Sequence, residues 1–521
     1  MDAATAHKRR WAILAVLSLC LVISGLDALV IAMAVPKIQE DLGATVGEMQ
    51  WSVDAYTLTF GGLLLLAGTL GDRFGHKIML LGGLVLVLSF SVAAAFASSP
   101  GTLITFRAGM GLGSAMVMPA TLAIIKQVFP PEERAKAIGV WSGAAGIGIP
   151  LGPVIGGLLL NHYWWGSIFL INVPVVGLAL IGGFVLIPSW RAPKAIMLDL
   201  IGAFLAAGGL VLLVYGFIEA PADGWGSGTT LASLIGGTVL LCGFVAWEAR
   251  TAHPMLPLSL FANRRFSGSA AALSCQAFAL FGSLFVLTQY FQIARAHDPL
   301  ASGVRMLAII TLVISSPLAP NVVKMIGDKA TIILGMLLIG AGAFALATAD
   351  VDAETTILIS LGVMGFGIGL SIPPSVDGIL ANAPENQAGT ASAVNDTALQ
   401  VGGAVGVAIL GTAMTSAYQG ALPSLDALSP ADRSNVHDSL GSALATTARI
   451  GDTGLAAKAV DAFGSGLHAA AITSGIVAVV GAAVTAFLMP RGLKQPAKPH
   501  AVQAGKAEQT EQTGQTAGLP N

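Results

Sequence analysis

Five ionisable residues stand inside stretches that are otherwise apolar: Asp27, Asp54, Arg107, Asp377 and Asp396. A charged side chain at the centre of a membrane helix costs roughly 2.5–3.5 kcal/mol on insertion scales. A residue carrying that cost faces a partner or a cavity, so these positions are the natural candidates for chemistry. A carboxylate in such a setting can take up and release a proton, because burial and a cationic neighbour act on it in opposite directions. It can also hold a cation that has shed its water. Competition between a proton and a cationic solute for one carboxylate gives exchange.

The depths of these residues suggest which ones work together. Asp27 lies sixteen residues past Trp11, about 24 Å along a helix at 1.5 Å per residue. Asp54 and Arg107 fall near the starts of the second and fourth apolar stretches and share its level, whereas Asp396 sits lower in the thirteenth. Asp27, with Arg107 beside it, is expected to be the main proton-coupling site; a purely structural Asp27–Arg107 pair is the other reading. Asp54 and Asp396 are expected to attract a cationic solute. Tyr56 and Phe60, one turn apart, and Phe278, Phe281 and Phe285 offer ring faces to a cation. Gln292 follows the second set as a candidate binding residue. A phenylalanine stripe also suits plain packing.

The elements that must position these residues are membrane helices. The chain has 521 residues, 55% hydrophobic and 10% charged, against about 25% charged in an average soluble protein. Stretches of roughly 20 apolar residues, enough to span a bilayer, occur at about 11–35, 50–70, 78–97, 102–125, 136–160, 165–188, 198–219, 230–249, 266–292, 303–325, 330–348, 354–376, 390–416 and 467–489. With the N-terminus inside, nineteen lysines and arginines fall on the cytoplasmic side and six outside, as the positive-inside rule requires. Both termini are then cytoplasmic, in a plasma (inner) membrane. The first stretch is too long for the apolar core of a signal peptide and is expected to be retained. Residues about 418–466 form a long external loop with room for a short amphipathic helix. Residues 493–521 read as a disordered tail. The cysteines (Cys20, Cys242 and Cys275) lie in apolar runs and imply no disulfide framework. A net charge of −2 suggests no nucleic-acid partner.

An internal repeat organises the spans. Leu66 to Lys77 (LAGTLGDRFGHK) ends the second, and Leu318 to Lys329 (LAPNVVKMIGDK) ends the tenth. They match at the opening Leu and Ala, at Gly75 with Gly327, and at the final Lys. The expected architecture is therefore all-α. It has a six-helix bundle over 1–190, two inserted helices and a linker over 191–262, and a second six-helix bundle over 263–492. Transporters are commonly built from such halves around a midplane site.

The segment Gly68, Gly71, Asp72, Arg73, Gly75, Lys77 resembles the signature between helices two and three of the major facilitator superfamily. The fifth span carries Gly146, Gly148, Pro150, Gly152, Pro153, Gly156 and Gly157, and is similar to the antiporter signature of exporters in that superfamily. Leu26-Asp27 with Ala34-Val35-Pro36, Arg107-x-Gly109-x-Gly111, and Trp164 to Pro174 extend the likeness to its fourteen-helix drug:proton antiporters. Among these the chain looks like the quaternary-ammonium and methyl-viologen exporters. The resemblance implies alternating access, with both glycine-containing signatures serving conformational gating. It departs at the thirteenth helix, where Asp396 is followed one turn on by Gln400 rather than a second acid. That puts recognition of divalent cations in doubt.

The resemblance implies a proton-coupled exporter of hydrophobic, often cationic small molecules, working in the lipid bilayer as a monomer. No phosphate-binding loop, metal-ligand cluster or nucleophile–base pair is readable, so neither an enzyme nor a cofactor is expected. The alternatives are an exporter dedicated to one natural product, an uptake permease for an organic solute, and a receptor or scaffold built on a transporter fold.

Overall fold

The structure is a computed structural model and describes residues 9–130, 154–188, 199–251, 256–382 and 388–490, with single positions between 131 and 153 and at Pro254. A few side chains within helices, that of Asp72 among them, lie outside the described set, as do Gly146, Gly148, Pro150 and Pro153.

Long helices run back and forth between two ends. They are α1 (Arg10–Leu42), α2 (Val46–Phe74), α3 (His76–Ala95), α4 (Pro100–Val128), α5 (154–162), α6 (Ser167–Leu186), α7 (Leu200–Asp223) and α8 (Gly228–Glu248). There follow α9 (Arg264–Ala294), α10 (Pro299–Ile326), α11 (Asp328–Leu346), α12 (Glu354–Leu380) and α13 (Ala388–Ala421). Two short helices, α14 (Pro430–Asp438) and α15 (Leu440–Ile450), precede α16 (Thr453–Leu488). Twelve of these are long and apolar enough to cross a membrane among the described residues. α2 has 29 residues but carries more polar groups, and α5 is described only over its last turns. No strand occurs among the described residues.

Local chemistry sets the helix ends. Thr45 caps α2 in a capping box with Glu48, and Ser99 does the same for α4 with Thr102, supplying partners for the first free N–H groups. Asp298 caps α10, with Pro299 at the first helical position. Large apolar side chains such as Leu178, Ile181, Phe184, Phe204 and Phe487 point away from the protein, which suits lipid and not water.

The terminal end is where α1 begins and α16 finishes; the far end is opposite. The helices form an N-terminal group (α1–α6) and a C-terminal group (α9–α13 with α16), with α7 set against both α2 and α13 and α8 packed on α7. The repeat read in the sequence has a structural counterpart. Gly75 (φ 101°) turns α2 into α3, and Gly327 (φ 88°) turns α10 into α11. Both lie in backbone territory that favours glycine. Lys77 Nζ donates to the Phe184 carbonyl at the end of α6. Lys329 Nζ donates to the Ala486 and Met489 carbonyls at the end of α16. In each group the final lysine of the repeat thus satisfies the last helix's free carbonyls, where a cation is favoured.

The final span differs from the sequence expectation of 467–489. α16 begins at Thr453, with Asp452 as its cap. Lys458 and Asp461 hide the pattern, but Leu455, Ala459, Ala462 and Phe463 are buried at helical spacing. The expected external loop is therefore α14, α15 and the first turns of α16. Tyr418 Oη ties it down by donating to the Val436 carbonyl at 2.8 Å.

The two groups meet tightly toward the far end. Gln50 Nε2 of α2 donates to the Val407 and Ala408 carbonyls of α13, each at 3.3 Å. Gln292 Nε2, in the π turn Tyr290–Ala294 of α9, donates to the Met33 carbonyl of α1 at 2.8 Å. Asn161 Nδ2 donates to Asp298 Oδ1 at 3.1 Å. The Ala301 N–H and the Asn161 amide hold the Asp298 carboxyl below the usual carboxylate range, so this link stays ionised at neutral pH. A Cβ on Gly157 would stand 2.5 Å from the Pro299 carbonyl oxygen. Gly157→Val is therefore expected to wedge α5 from α10 and open the far end. The check is the labelling rate of a cysteine placed at buried Thr288, which should rise over that of the parent; an unchanged rate would count against this seal.

Candidate functional site

A network of buried polar groups lies inside the N-terminal group. Arg107 of α4 donates through Nη1 to Asp27 Oδ2 of α1 at 2.9 Å, and both side chains are buried. Arg107 Nε donates to the Ser52 carbonyl of α2 at 3.0 Å, and the guanidinium lies 4.5 Å from the Tyr56 ring centre. On the other side, Asn172 Nδ2 of α6 donates to Asp27 Oδ1 at 3.3 Å and to Ser91 Oγ of α3 at 2.9 Å. Ser91 passes its own hydrogen to the Phe169 carbonyl, and Tyr56 Oη donates to Ser114 Oγ. Five helices are joined through one ion pair. A narrow cavity of about 10 Å³ opens beside it, lined by Cys20, Ser24, Asp27, Tyr56 and Ser114 among others. It has room for one water.

Glycines let these helices close on the charges. A Cβ at Gly111 would stand 2.4 Å from the Tyr56 carbonyl oxygen, and one at Gly113 would stand 2.7 Å from that of Gly83. The fourth-span glycines therefore bring α4 against α2 and α3, so that Arg107 reaches Asp27 without extending into lipid.

Asp54 is arranged differently. Its side chain is buried, and neither carboxylate oxygen has a hydrogen-bond partner among the described residues. Gln50 and Gly61, four residues before and seven after, both touch α13, and Leu58 packs with Ala404 and Ala408. Helical spacing therefore turns Asp54 toward α13, at the interface of the two groups. Leaving an ionised carboxylate buried without a partner is costly.

The remaining candidates are dispersed. Asp396 of α13 is half-buried, and its nearest hydrogen-bond donor is its neighbour Asn395 at 3.0 Å. It lies toward the terminal end, away from Asp27. Gln400 packs against Gly61 of α2. Gln292 belongs to the far-end seal. Of the two glycine signatures, Gly68 faces Pro119 of α4, and Gly156 rests on Val30 and Met33 of α1. Gly152 is buried and helical, whereas Arg73 is exposed. Phe278 and Phe285 are core residues.

Sequence reasoning assigned no role to Asn172, Ser91, Gln50 or Asn161. Asn172 carried a signal, being an amide at the head of a span. Its partners come from other helices, so its target was not readable.

An ion pair this deep is destabilising to break, since one buried charge is left alone; removing a partner typically costs about 3–5 kcal/mol. Asp27→Asn and Arg107→Gln should each lower the unfolding midpoint in detergent. The double substitution should recover part of that loss without recovering transport. Independent, additive losses would show that the pair is not coupled.

The family model for the Major Facilitator Superfamily matches residues 17–407. A tetracenomycin C resistance and export protein of Streptomyces glaucescens is 34% identical over 92% of this chain and 91% of its own length. A multidrug efflux pump of Mycolicibacterium smegmatis is 32% identical, covering 93% and 97%. A methyl viologen resistance protein of Salmonella typhimurium is 30% identical, covering 84% and 89%. Among solved structures, a bacterial homolog of the human lysosomal transporter Spinster superposes with a TM-score of 0.61 at 16% identity, covering 94% of this chain and 99% of that one. A peptide transporter in complex with sulfate gives 0.61 at 16%, covering 92% and 96%. At that identity the two structures speak for the fold alone.

Proposed function

The chain belongs to the Major Facilitator Superfamily, and we propose that it exports hydrophobic, often cationic compounds in exchange for protons by alternating access. It is a multi-pass membrane transporter and not an enzyme. Resistance and efflux are the roles of relatives that align over most of its length. In this reading the far end faces outside, both termini are cytoplasmic, and the seal described above is the closed outer gate.

The observation that carries proton coupling is Asp54. It is buried, has no hydrogen-bond partner among the described residues, and sits where the two groups must part. With the gate closed, a proton neutralises it. With the gate open, water reaches it and the proton can leave. Asp27 takes part through Arg107: a proton on Asp27 weakens the ion pair that joins five helices. Tyr56, whose ring lies on Arg107, links the two. Asp396, half-buried on α13, attracts a cationic substrate entering from the cytoplasm. Asp54 adds its charge to that attraction once its proton is gone. The two glycine signatures serve as the surfaces on which helices close.

A narrower exporter of a single natural product is the second reading. The Streptomyces glaucescens relative, described by its resistance to and export of one compound, favours it.

Reconstituted vesicles test the main reading. Cationic, neutral and acidic compounds are added to wild type, Asp54→Asn and Asp27→Asn, and proton release is followed. Wild type should release protons with several cationic compounds, and Asp54→Asn with none. Asp396→Asn should weaken the response to cationic compounds more than to neutral ones. A full response from Asp54→Asn would remove it from coupling, and a response to one compound alone would favour the narrower exporter.

A further inference from the structure

The inserted pair lies outside both groups, and α7 lies in the seam where α2 of one meets α13 of the other. Its attachments to the two sides differ in kind. Pro221, in the last turn of α7, has no N–H. The Phe217 carbonyl four residues before it therefore loses its helical donor. Thr412 Oγ1 of α13 fills that place at 2.7 Å. The Thr412 hydroxyl is buried, so water does not compete for it, and the bond is a directional fastening.

Against α2 the contacts are apolar. Ile218 lies 3.4 Å from where a Cβ at Gly47 would stand, and the Ala207 Cβ is 3.2 Å from one at Gly62. Leu58 packs with Val214 and Ile218, and the Trp51 and Tyr215 rings lie 6.1 Å apart. The hydrogen bonds that α2 makes across this seam go to α13. Glu219 of α7 and Glu48 of α2 carry like charges and repel. α8 is bound to α7 at close range, since Cβ atoms at Gly209, Gly216 and Gly237 would stand 2.9, 2.7 and 2.7 Å from atoms of the opposite helix. It must follow wherever α7 goes.

We propose that α7 and α8 form a strap fastened to α13 by the Thr412–Phe217 bond and free to slide over α2, so that the pair travels with the C-terminal group as the far end opens. Opening separates Gln50 from Val407 and Ala408, and one side of α7 must then give way. Apolar contacts over glycines yield, because sliding leaves no polar group unsatisfied. The directional bond does not. The strap thereby covers the α2/α13 seam against lipid while the helices beneath it part. This requires only that the two groups move relative to each other, whatever the substrate or coupling ion.

Cysteine crosslinking of the full-length protein tests it, with Cys20, Cys242 and Cys275 replaced by alanine. Gly62→Cys with Ala207→Cys places two Cβ atoms 3.2 Å apart, a few tenths of an ångström closer than a disulfide needs, so a slight outward shift of α7 lets the bond tie it to α2. The readout is maleimide labelling of a further cysteine at Thr288, which is buried among Met33 and Met306 at the far end. The crosslink should abolish labelling, and reduction should restore it. Adding Thr412→Val should restore labelling even with the crosslink in place, because the strap can then follow α2. Gly47→Cys with Ile218→Cys gives a second link on the same face should the first pair fold poorly. Undiminished labelling of the crosslinked protein would overturn the sliding contact. A block that persists with Thr412→Val would overturn the fastening.

Discussion

Inside a bilayer no bulk water is available to complete a hydrogen bond, and that constraint governs the polar groups within the membrane spans. Each one must find a protein partner or remain a costly exception. The Arg107–Asp27 pair satisfies it at both carboxylate oxygens and at Arg107 Nε and Nη1. Around it Asn172, Ser91, Tyr56 and the Ser52 carbonyl are drawn in, and α1, α2, α3, α4 and α6 take their relative positions from that one cluster. Glycines in α4 remove the steric obstacle to so close an approach.

The two groups share a plan but not a chemistry. Gly75 and Gly327 make the same turn, and Lys77 and Lys329 cap the last helix of their own groups. Yet the charges are buried in the first group, whereas the second buries neutral pairs such as Gln276 with Ser375. A neutral amide–hydroxyl pair holds helices together without responding to protons near neutral pH. A carboxylate–guanidinium pair joins helices through opposite charges, and here that pair lies in the N-terminal group.

Two polar groups left without a partner inside their own helices lie at the seam between the groups. Asp54 has no hydrogen-bond partner among the described residues, and it sits at the surface where the two groups meet. The Phe217 carbonyl finds its partner on a different helix, and so ties α7 to one side of the same surface. Polar groups satisfied within a group make it rigid. In the proposed cycle, those at or across the seam decide which pieces move together.

The sequence by itself determined much of this protein. Its low charge and long apolar runs fixed a helical membrane protein, because only helices and closed barrels satisfy the backbone in lipid. Capping residues and turn glycines placed most helix ends, and the scarcity of intramembrane charges singled out Asp27, Asp54 and Arg107. The start of α16 stayed hidden, because Lys458 and Asp461 broke an apolar pattern that is legible only once α15 covers its other face. Tertiary structure alone decided how the charges divide: Asp27 with Arg107, Asp54 without a hydrogen-bond partner among the described residues, Asp396 apart from both. Spacing along a chain places residues on one helix face, but which residue of another helix stands opposite depends on how the helices pack. For the same reason Asn172, Gln50 and Thr412 could be read as polar residues in the sequence, and as partners only in the fold.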